Sequence, residues 1–229
     1  MLEQMGEFFD RRLEIYEEHQ LTAIASAGEF YPFTARCLPR EPGAEVLDLG
    51  CGTGLELDYY FSLNPAARVT GIDLAEGMLS ALAKKFPDKA LRLIRGSYFD
   101  VPFEQGRYDG AVSVESLHHF TQGEKIPFYR RVYEALKEGG AFILTDYFAL
   151  SDQEEARCRE ELRRALAEEG ADPGELYHYD TPLTVAHEIE ALHAAGFERV
   201  AVLGRWGPTC TLRADKGAGA SCGRRASAG

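Results

Sequence analysis

Basic clusters, paired cysteines and long apolar runs are all scarce in this chain. Lysine and arginine total 25 against 37 aspartate and glutamate, for a formal net charge of −12. A protein that holds a long nucleic acid normally presents a basic face. No Lys/Arg cluster stands in the region expected to fold, which argues against a nucleic-acid partner. The five cysteines, Cys37, Cys51, Cys158, Cys210 and Cys222, are scattered, odd in number and without CxxC spacing. That pattern argues against a disulfide frame or a zinc site, so no metal is expected, and free thiols suit a cytoplasmic setting. No window approaches the roughly 20 apolar residues of a membrane span. The opening residues Met1 to Glu7 lack the basic start of a signal peptide. No membrane partner is expected, and no internal repeat is visible.

What is present is an ordinary globular composition over 229 residues, enough for one sizeable domain. Residues 3 to 38 carry Phe8, Phe9, Leu13, Ile15, Tyr16, Leu21, Ile24 and Phe30 mostly at helical spacing, with a break expected near Gly28. Strands and helices then alternate. Strands are expected at 45–49, 68–73, 91–95, 108–114 and 141–146. Helices are expected at 55–63, 75–86 and 126–136, the last one stopped by Gly139-Gly140. The alternation predicts an α/β, doubly wound, Rossmann-like sheet with right-handed crossovers. A charged helix from Ser151 to Glu169 and a loop to Asp180 interrupt the pattern after the fifth strand. A helix at 184–195 follows, then two strands at 197–203 and 208–212, read as a C-terminal antiparallel hairpin that completes seven strands. The expected organisation is a single domain over 1–213. Residues 1–40 form a helical lid, 151–181 a substrate cover, and 214–229 a disordered tail rich in Gly, Ala, Ser and Arg.

The stretch Glu45-Val46-Leu47-Asp48-Leu49-Gly50-Cys51-Gly52-Thr53-Gly54 organises the rest. It reads as a buried strand, a glycine-rich turn and the start of a helix, a nucleotide-type pocket at the carboxyl end of a central strand. Asp48 is a carboxylate inside an apolar strand, costly unless it finds donors. Asp73 ends the second strand, where an acid is placed to accept hydrogen bonds from ribose hydroxyls. Ser97-Tyr98 follow the third strand, where an adenine ring would lie, and Met78 and Leu79 stand opposite.

Taken in this order and spacing, these stretches resemble the class I S-adenosylmethionine-dependent methyltransferases, above all the small-molecule, quinone-biosynthesis-like group. Residues 45–54 resemble the first motif of that family. Val69-Thr70-Gly71-Ile72-Asp73-Leu74-Ala75-Glu76-Gly77-Met78-Leu79 resembles the second. Gly96-Ser97-Tyr98-Phe99-Asp100-Val101-Pro102-Phe103 resembles the third, with Ser97 where many members carry an acid. Ser116-Leu117-His118-His119-Phe120 and Leu136-Lys137-Glu138-Gly139-Gly140 resemble later parts.

The resemblance implies S-adenosyl-L-methionine as cofactor and S-adenosyl-L-homocysteine as product. It implies a cofactor site of Asp48, Gly50, Cys51, Gly52, Gly54, Asp73, Leu74, Met78, Ser97, Tyr98 and Glu115. A sulfonium methyl is already activated, so alignment and desolvation of the acceptor supply much of the catalysis. A base is needed only for an acceptor that arrives protonated. Candidates are His118, His119, Tyr16, His19 and Glu115, with none singled out. Tyr147, Tyr177 and His178 are the expected substrate contacts. Methyl transfer to an O, N or C atom of a small molecule is expected, from a monomer or homodimer. The alternatives are a tRNA- or protein-modifying methyltransferase, or a protein that binds an S-adenosylmethionine derivative without catalysis. A nicotinamide-dependent oxidoreductase would carry GxGxxG, whereas this chain has GxGxG.

Overall fold

The computed structural model describes residues 2–172 and 174–217. Strands β1 (Glu45–Leu49), β2 (Arg68–Asp73), β3 (Ala90–Arg95), β4 (Tyr108–Val114), β5 (Leu136–Tyr147), β6 (Arg199–Trp206) and β7 (Thr209–Asp215) form one sheet, ordered β3-β2-β1-β4-β5-β7-β6. The first five are parallel to their neighbours, while β7 runs antiparallel between β5 and β6. β1 pairs with β2 on one side and β4 on the other. Here the strand order reverses, and a crevice opens beyond the carboxyl ends.

The helices are α1 (Met5–Ala23), α2 (Ala27–Cys37), α3 (Leu55–Leu63), α4 (Glu76–Lys85), α5 (Gln122–Ala135), α6 (Asp152–Glu169) and α7 (Val185–Ala195). Successive strand side chains point to opposite faces, so each buried strand feeds two cores. Val46, Val69, Val112 and Ile143 pack with Phe30, Leu57, Tyr60 and Leu82 from α2, α3 and α4. Leu47, Ile72, Ala111, Phe142 and Leu144 pack with Phe128, Tyr129 and Leu192 from α5 and α7. The doubly wound, seven-stranded expectation therefore holds, hairpin included. Among the described residues no helix is long and apolar enough to cross a membrane.

Several boundaries differ from the sequence reading. The first helical break falls at Ile24–Ser26, where Ser26 takes a left-handed φ of 63°, and Gly28 lies inside α2. α5 begins at Gln122, because Thr121 and Glu124 form a capping box that satisfies the first backbone N–H groups. It ends at Ala135, and Gly139-Gly140 lie within β5, whose first residue Leu136 already pairs with Tyr108. β6 runs on through Trp206, so the hairpin turns at Gly207-Pro208. β7 continues to Asp215 because Ala214 and Asp215 pair with both β5 and β6. The tail expectation fails for residues 214 and 215, and from 218 onward it lies outside the described residues.

One buried ion pair joins the helices of the second core. Lys125 Nζ contacts Glu188 Oε2 at 2.6 Å, and the Tyr129 hydroxyl donates to Glu188 Oε1. All three side chains are buried. Removing one partner of such a pair leaves an uncompensated buried charge. Lys125→Met is expected to cost about 3–5 kcal/mol in urea unfolding, and Lys125→Met/Glu188→Leu to recover most of that loss.

Candidate active site

The glycine turn after β1 is shaped by close approach. Gly50 has φ 74°, and a Cβ there would stand 2.1 Å from Ser116 Oγ on the segment after β4. Only glycine accepts both the conformation and the contact. Asp73, at the end of β2, holds the turn from the other side. Its Oδ2 accepts the Gly52 N–H and its Oδ1 accepts the Ala75 N–H, both at 2.9 Å. Between these groups lies a notch of about 40 Å³, walled by Asp73, Leu74, Met78 and Tyr98 and closed from above by Met5, Phe9 and Tyr16 of α1.

Beneath the turn, Asp48 and Glu56 face each other in the core. Burial, then the charge of Glu56, pushes the Asp48 carboxyl well above its ordinary range, and burial raises Glu56 as well. Asp48 Oδ2, Glu56 Oε1 and Thr53 Oγ1 are buried without hydrogen-bond partners. The hydrogen bond between the two carboxyls raises Asp48 and lowers Glu56, so Asp48 holds the proton and donates it to Glu56, one proton serving the pair.

Beside the notch opens a cavity of about 490 Å³. Phe9, Tyr16, Glu115 and His119 line both spaces and form the partition between them. Phe8, Ile15, Ile24, Trp206 and Pro208 give the larger cavity apolar walls, and His118, His178 and Asp180 give it a polar floor. The α1 contribution comes from one helix face, since Phe9, Arg12, Tyr16 and His19 recur at three- and four-residue spacing.

The floor is tightly ordered. His118 Nδ1 meets Asp146 Oδ1 at 2.6 Å. Asp146 also accepts N–H groups from Leu117 at 2.8 Å and Tyr147 at 2.9 Å. Burial opposes charge on His118, but Asp146 overcomes it and holds the pKa up at about 10. His119 moves the other way, lowered by burial and by the His118 charge. His178, stacked on Phe8 at 3.5 Å, is lowered to about 4 by burial and by His119. Hydrogen bonds from His118 and His119 hold Asp180 well below the carboxylate range. Burial, then Asp146, pushes the Glu115 carboxyl up to about 7, and its backbone is left-handed at φ 49°. A non-glycine residue held there marks a locally over-determined site.

Of the expected cofactor residues, Gly50, Gly52, Asp73, Leu74, Met78, Tyr98 and Glu115 line the notch. Cys51 is buried against Gly71, and a Cβ on Gly54 would meet Leu82 at 2.5 Å, so both face the core of the α4 side. Asp48 sits beneath the turn. Ser97 Oγ accepts the Phe99 N–H at 3.1 Å and lines neither space. Tyr16, His19, Glu115, His118 and His119 all line the larger cavity, as do Tyr147 and His178. Tyr177 does not; it is spent on a backbone bridge to Gln4. α6 lines neither space, so the part of the 151–181 segment that reaches the cavity is His178 and Asp180. Asp146, Asp180, Ser116 and Trp206 escaped the sequence reading as site residues. Asp146 carried a signal, an acid ending a strand just as Asp73 does. Ser116 and Asp180 depend on loops whose paths a sequence does not give, and Trp206 on how far β6 extends.

Residues 46–140 match the family model of a methyltransferase domain. The chain is 28% identical over 203 residues to the sterol 24-C-methyltransferase of Gibberella zeae, covering 84% of this chain and 46% of that protein. It is 29% identical over 145 residues to the demethylmenaquinone methyltransferase of Symbiobacterium thermophilum, covering 60% and 56%. The chain thus spans about half the length of these relatives. Human N-acetylserotonin methyltransferase, solved with S-adenosylmethionine, shares the fold at TM-score 0.65 and 17% identity, covering 91% of this chain and 56% of that one.

The Asp48–Glu56 pair makes a pH-dependent demand. A carboxyl with a raised folded-state pKa binds its proton more tightly folded than unfolded, so stability falls as pH rises above the ordinary carboxylate range. Asp48→Asn removes that demand while keeping a donor for Glu56. Its thermal midpoint relative to the unsubstituted protein is expected to rise from pH 5 to pH 8. A difference that does not change with pH would contradict the shared proton.

Proposed function

We propose that this chain, a class I S-adenosylmethionine-dependent methyltransferase by its matched domain and sheet order, methylates an O, N or C atom of a small molecule held in the larger cavity. The observation that carries this is the shared partition. Phe9, Tyr16, Glu115 and His119 border both the notch at the glycine turn and the 490 Å³ cavity. That volume lies within the range of small-molecule sites, about 300–1,000 Å³. The net charge of −12 weighs against a nucleic-acid acceptor.

The residues around the notch suit an adenosyl and methionyl ligand. A cradle at Gly50 that a single Cβ would fill, and an acid at the end of β2 with both oxygens at the rim, are what a close-lying nucleoside needs. Asp73 would take the ribose hydroxyls, Tyr98, Met78 and Leu74 would border the base, and the Gly50–Gly52 backbone would lie along the methionyl part. When bound, the cofactor supplies an activated methyl on a sulfonium. The chain's own task is to align an acceptor and exclude water at the partition. Aromatic walls from α1 and Trp206 serve exclusion, and His178 and Tyr147 serve orientation. His118 and Glu115 set the charge facing the acceptor.

In this reading α1 is a lid. Only Met5 of its residues is buried. It is pinned by Asp10 to the Gly77 N–H at 2.9 Å and by Glu17 to Lys85 at 2.8 Å. Tyr16 stands over Gly52, so the lid must lift before a cofactor enters. A cytoplasmic monomer or homodimer completes the proposal, in keeping with the free Cys37, Cys51, Cys158 and Cys210.

Calorimetric titration with S-adenosylmethionine is expected to give one site per chain. Asp73→Ala should weaken it by roughly tenfold or more, about 1.4 kcal/mol, with folding followed in parallel because Asp73 also staples Gly52. No heat of binding, or equal affinity in a folded Asp73→Ala protein, would end the proposal.

A further inference from the structure

Two imidazoles and a carboxylate converge on the cavity floor in a way that hydrogen bonding to an acceptor does not require. His118 Nε2 and His119 Nδ1 stand 3.5 Å and 3.3 Å from the same atom, Asp180 Oδ1. The three donor atoms all lie within 4.8 Å of one another. Ligand atoms placed at about 2.0–2.1 Å around a tetrahedral zinc ion stand about 3.3 Å apart. Asp180 Oδ1 is therefore already at ligand-to-ligand spacing from both nitrogens.

The cluster is built by the backbone as well as by side-chain contact. The Thr181 N–H donates to the His118 carbonyl at 2.8 Å, which ties the segment after β4 to the end of the cover loop. The His118 ring is turned by Asp146, which binds Nδ1 and leaves Nε2 facing Asp180. A carboxylate behind a histidine is the usual outer shell of a metal ligand, fixing tautomer and orientation. His119 Nδ1 also donates to the Tyr179 carbonyl at 3.1 Å, a bond that the ion would replace at that nitrogen. Glu115 forms a second group with His118 and Asp146, again within 4.8 Å. Two imidazoles with carboxylate oxygen suit zinc, iron(II), cobalt or manganese better than magnesium or calcium, which take oxygen shells.

We propose that His118, His119 and Asp180 bind one divalent transition-metal ion at the floor of the acceptor cavity. The three residues leave the side toward the cavity open. An acceptor hydroxyl that entered there would coordinate through oxygen and lose its proton to solvent more readily. Cysteine spacing could not reveal such a centre, since no thiol takes part.

The test uses the full chain after chelator treatment and dialysis. Zinc is titrated by calorimetry, and cobalt(II) is followed by its visible absorption. One ion per chain is expected, with low-coordinate cobalt bands. His119→Ala and Asp180→Asn should each weaken zinc by more than about tenfold. Asp180 has a side chain 53% exposed, so its amide variant tests the site even if a histidine variant fails to fold. Glu160→Gln, at an exposed carboxylate on α6, should leave zinc binding unchanged. The proposal falls if the protein takes up no stoichiometric ion, or if both site variants bind zinc as the parent does. Titrating S-adenosylmethionine into the same samples keeps the two readings apart, because a chain that binds cofactor but no metal overturns this inference alone.

Discussion

Two backbone amides on one carboxylate hold the crevice in shape. Asp73 accepts Gly52 on the turn after β1 and Ala75 at the head of α4. Gly50 and Cys51 meanwhile donate to the Ile72 carbonyl. The turn is thereby locked to β2 on one side and pressed against Ser116 on the other, with no room at Gly50 for a side chain. Everything that borders the notch takes its position from that clamp. Tyr98 reaches across to Ser116, both to its carbonyl at 3.1 Å and to its hydroxyl at 3.0 Å. The segment after β4 then carries Glu115, His118 and His119 into place.

Neighbouring histidines receive opposite treatment on that segment. Asp146 raises the pKa of His118, whereas burial and the neighbouring His118 lower that of His119. Paired titratable groups pushed apart by their surroundings are a mark of functional sites. Asp180 then answers both rings from a different part of the chain. The floor of the cavity is thus polar and satisfied, while its walls are aromatic. An acceptor held there, as proposed, would gain orientation from the floor and desolvation from the walls. α1 links the two ligand spaces, because Phe9 and Tyr16 touch both, and anything that moves this helix changes both together.

The legible parts of the chain were those where local chemistry and global fold agree. The strand–turn–helix at 45–63, the acid at Asp73 and the alternation through β4 are short-range patterns, each with one reading. The misread parts are where tertiary pairing overrode a local signal. Gly139-Gly140 look like a helix stop, yet Leu136 is drawn into β5 by pairing with Tyr108. Trp206 looks like a turn residue, yet β7 extends β6 through it to wall the cavity. Asp180 gave no signal, since its partners lie far along the chain and meet it only because Thr181 bonds to His118. Ser97 and Tyr177 line neither space. The Ser97 hydroxyl accepts the Phe99 N–H in its own turn, and Tyr177 is held by a backbone bridge to Gln4.

Methyl transfer across the partition of Phe9, Tyr16, Glu115 and His119 is the proposal on which the rest depends. A crystal structure with S-adenosylhomocysteine tests it most directly. Tyr16 should be displaced from Gly52, the ribose should lie on Asp73, and the cofactor sulfur should lie within about 4.5 Å contact distance of that partition. A cofactor sulfur turned away from the larger cavity, or a ligand bound elsewhere with Tyr16 still seated over Gly52, would contradict it.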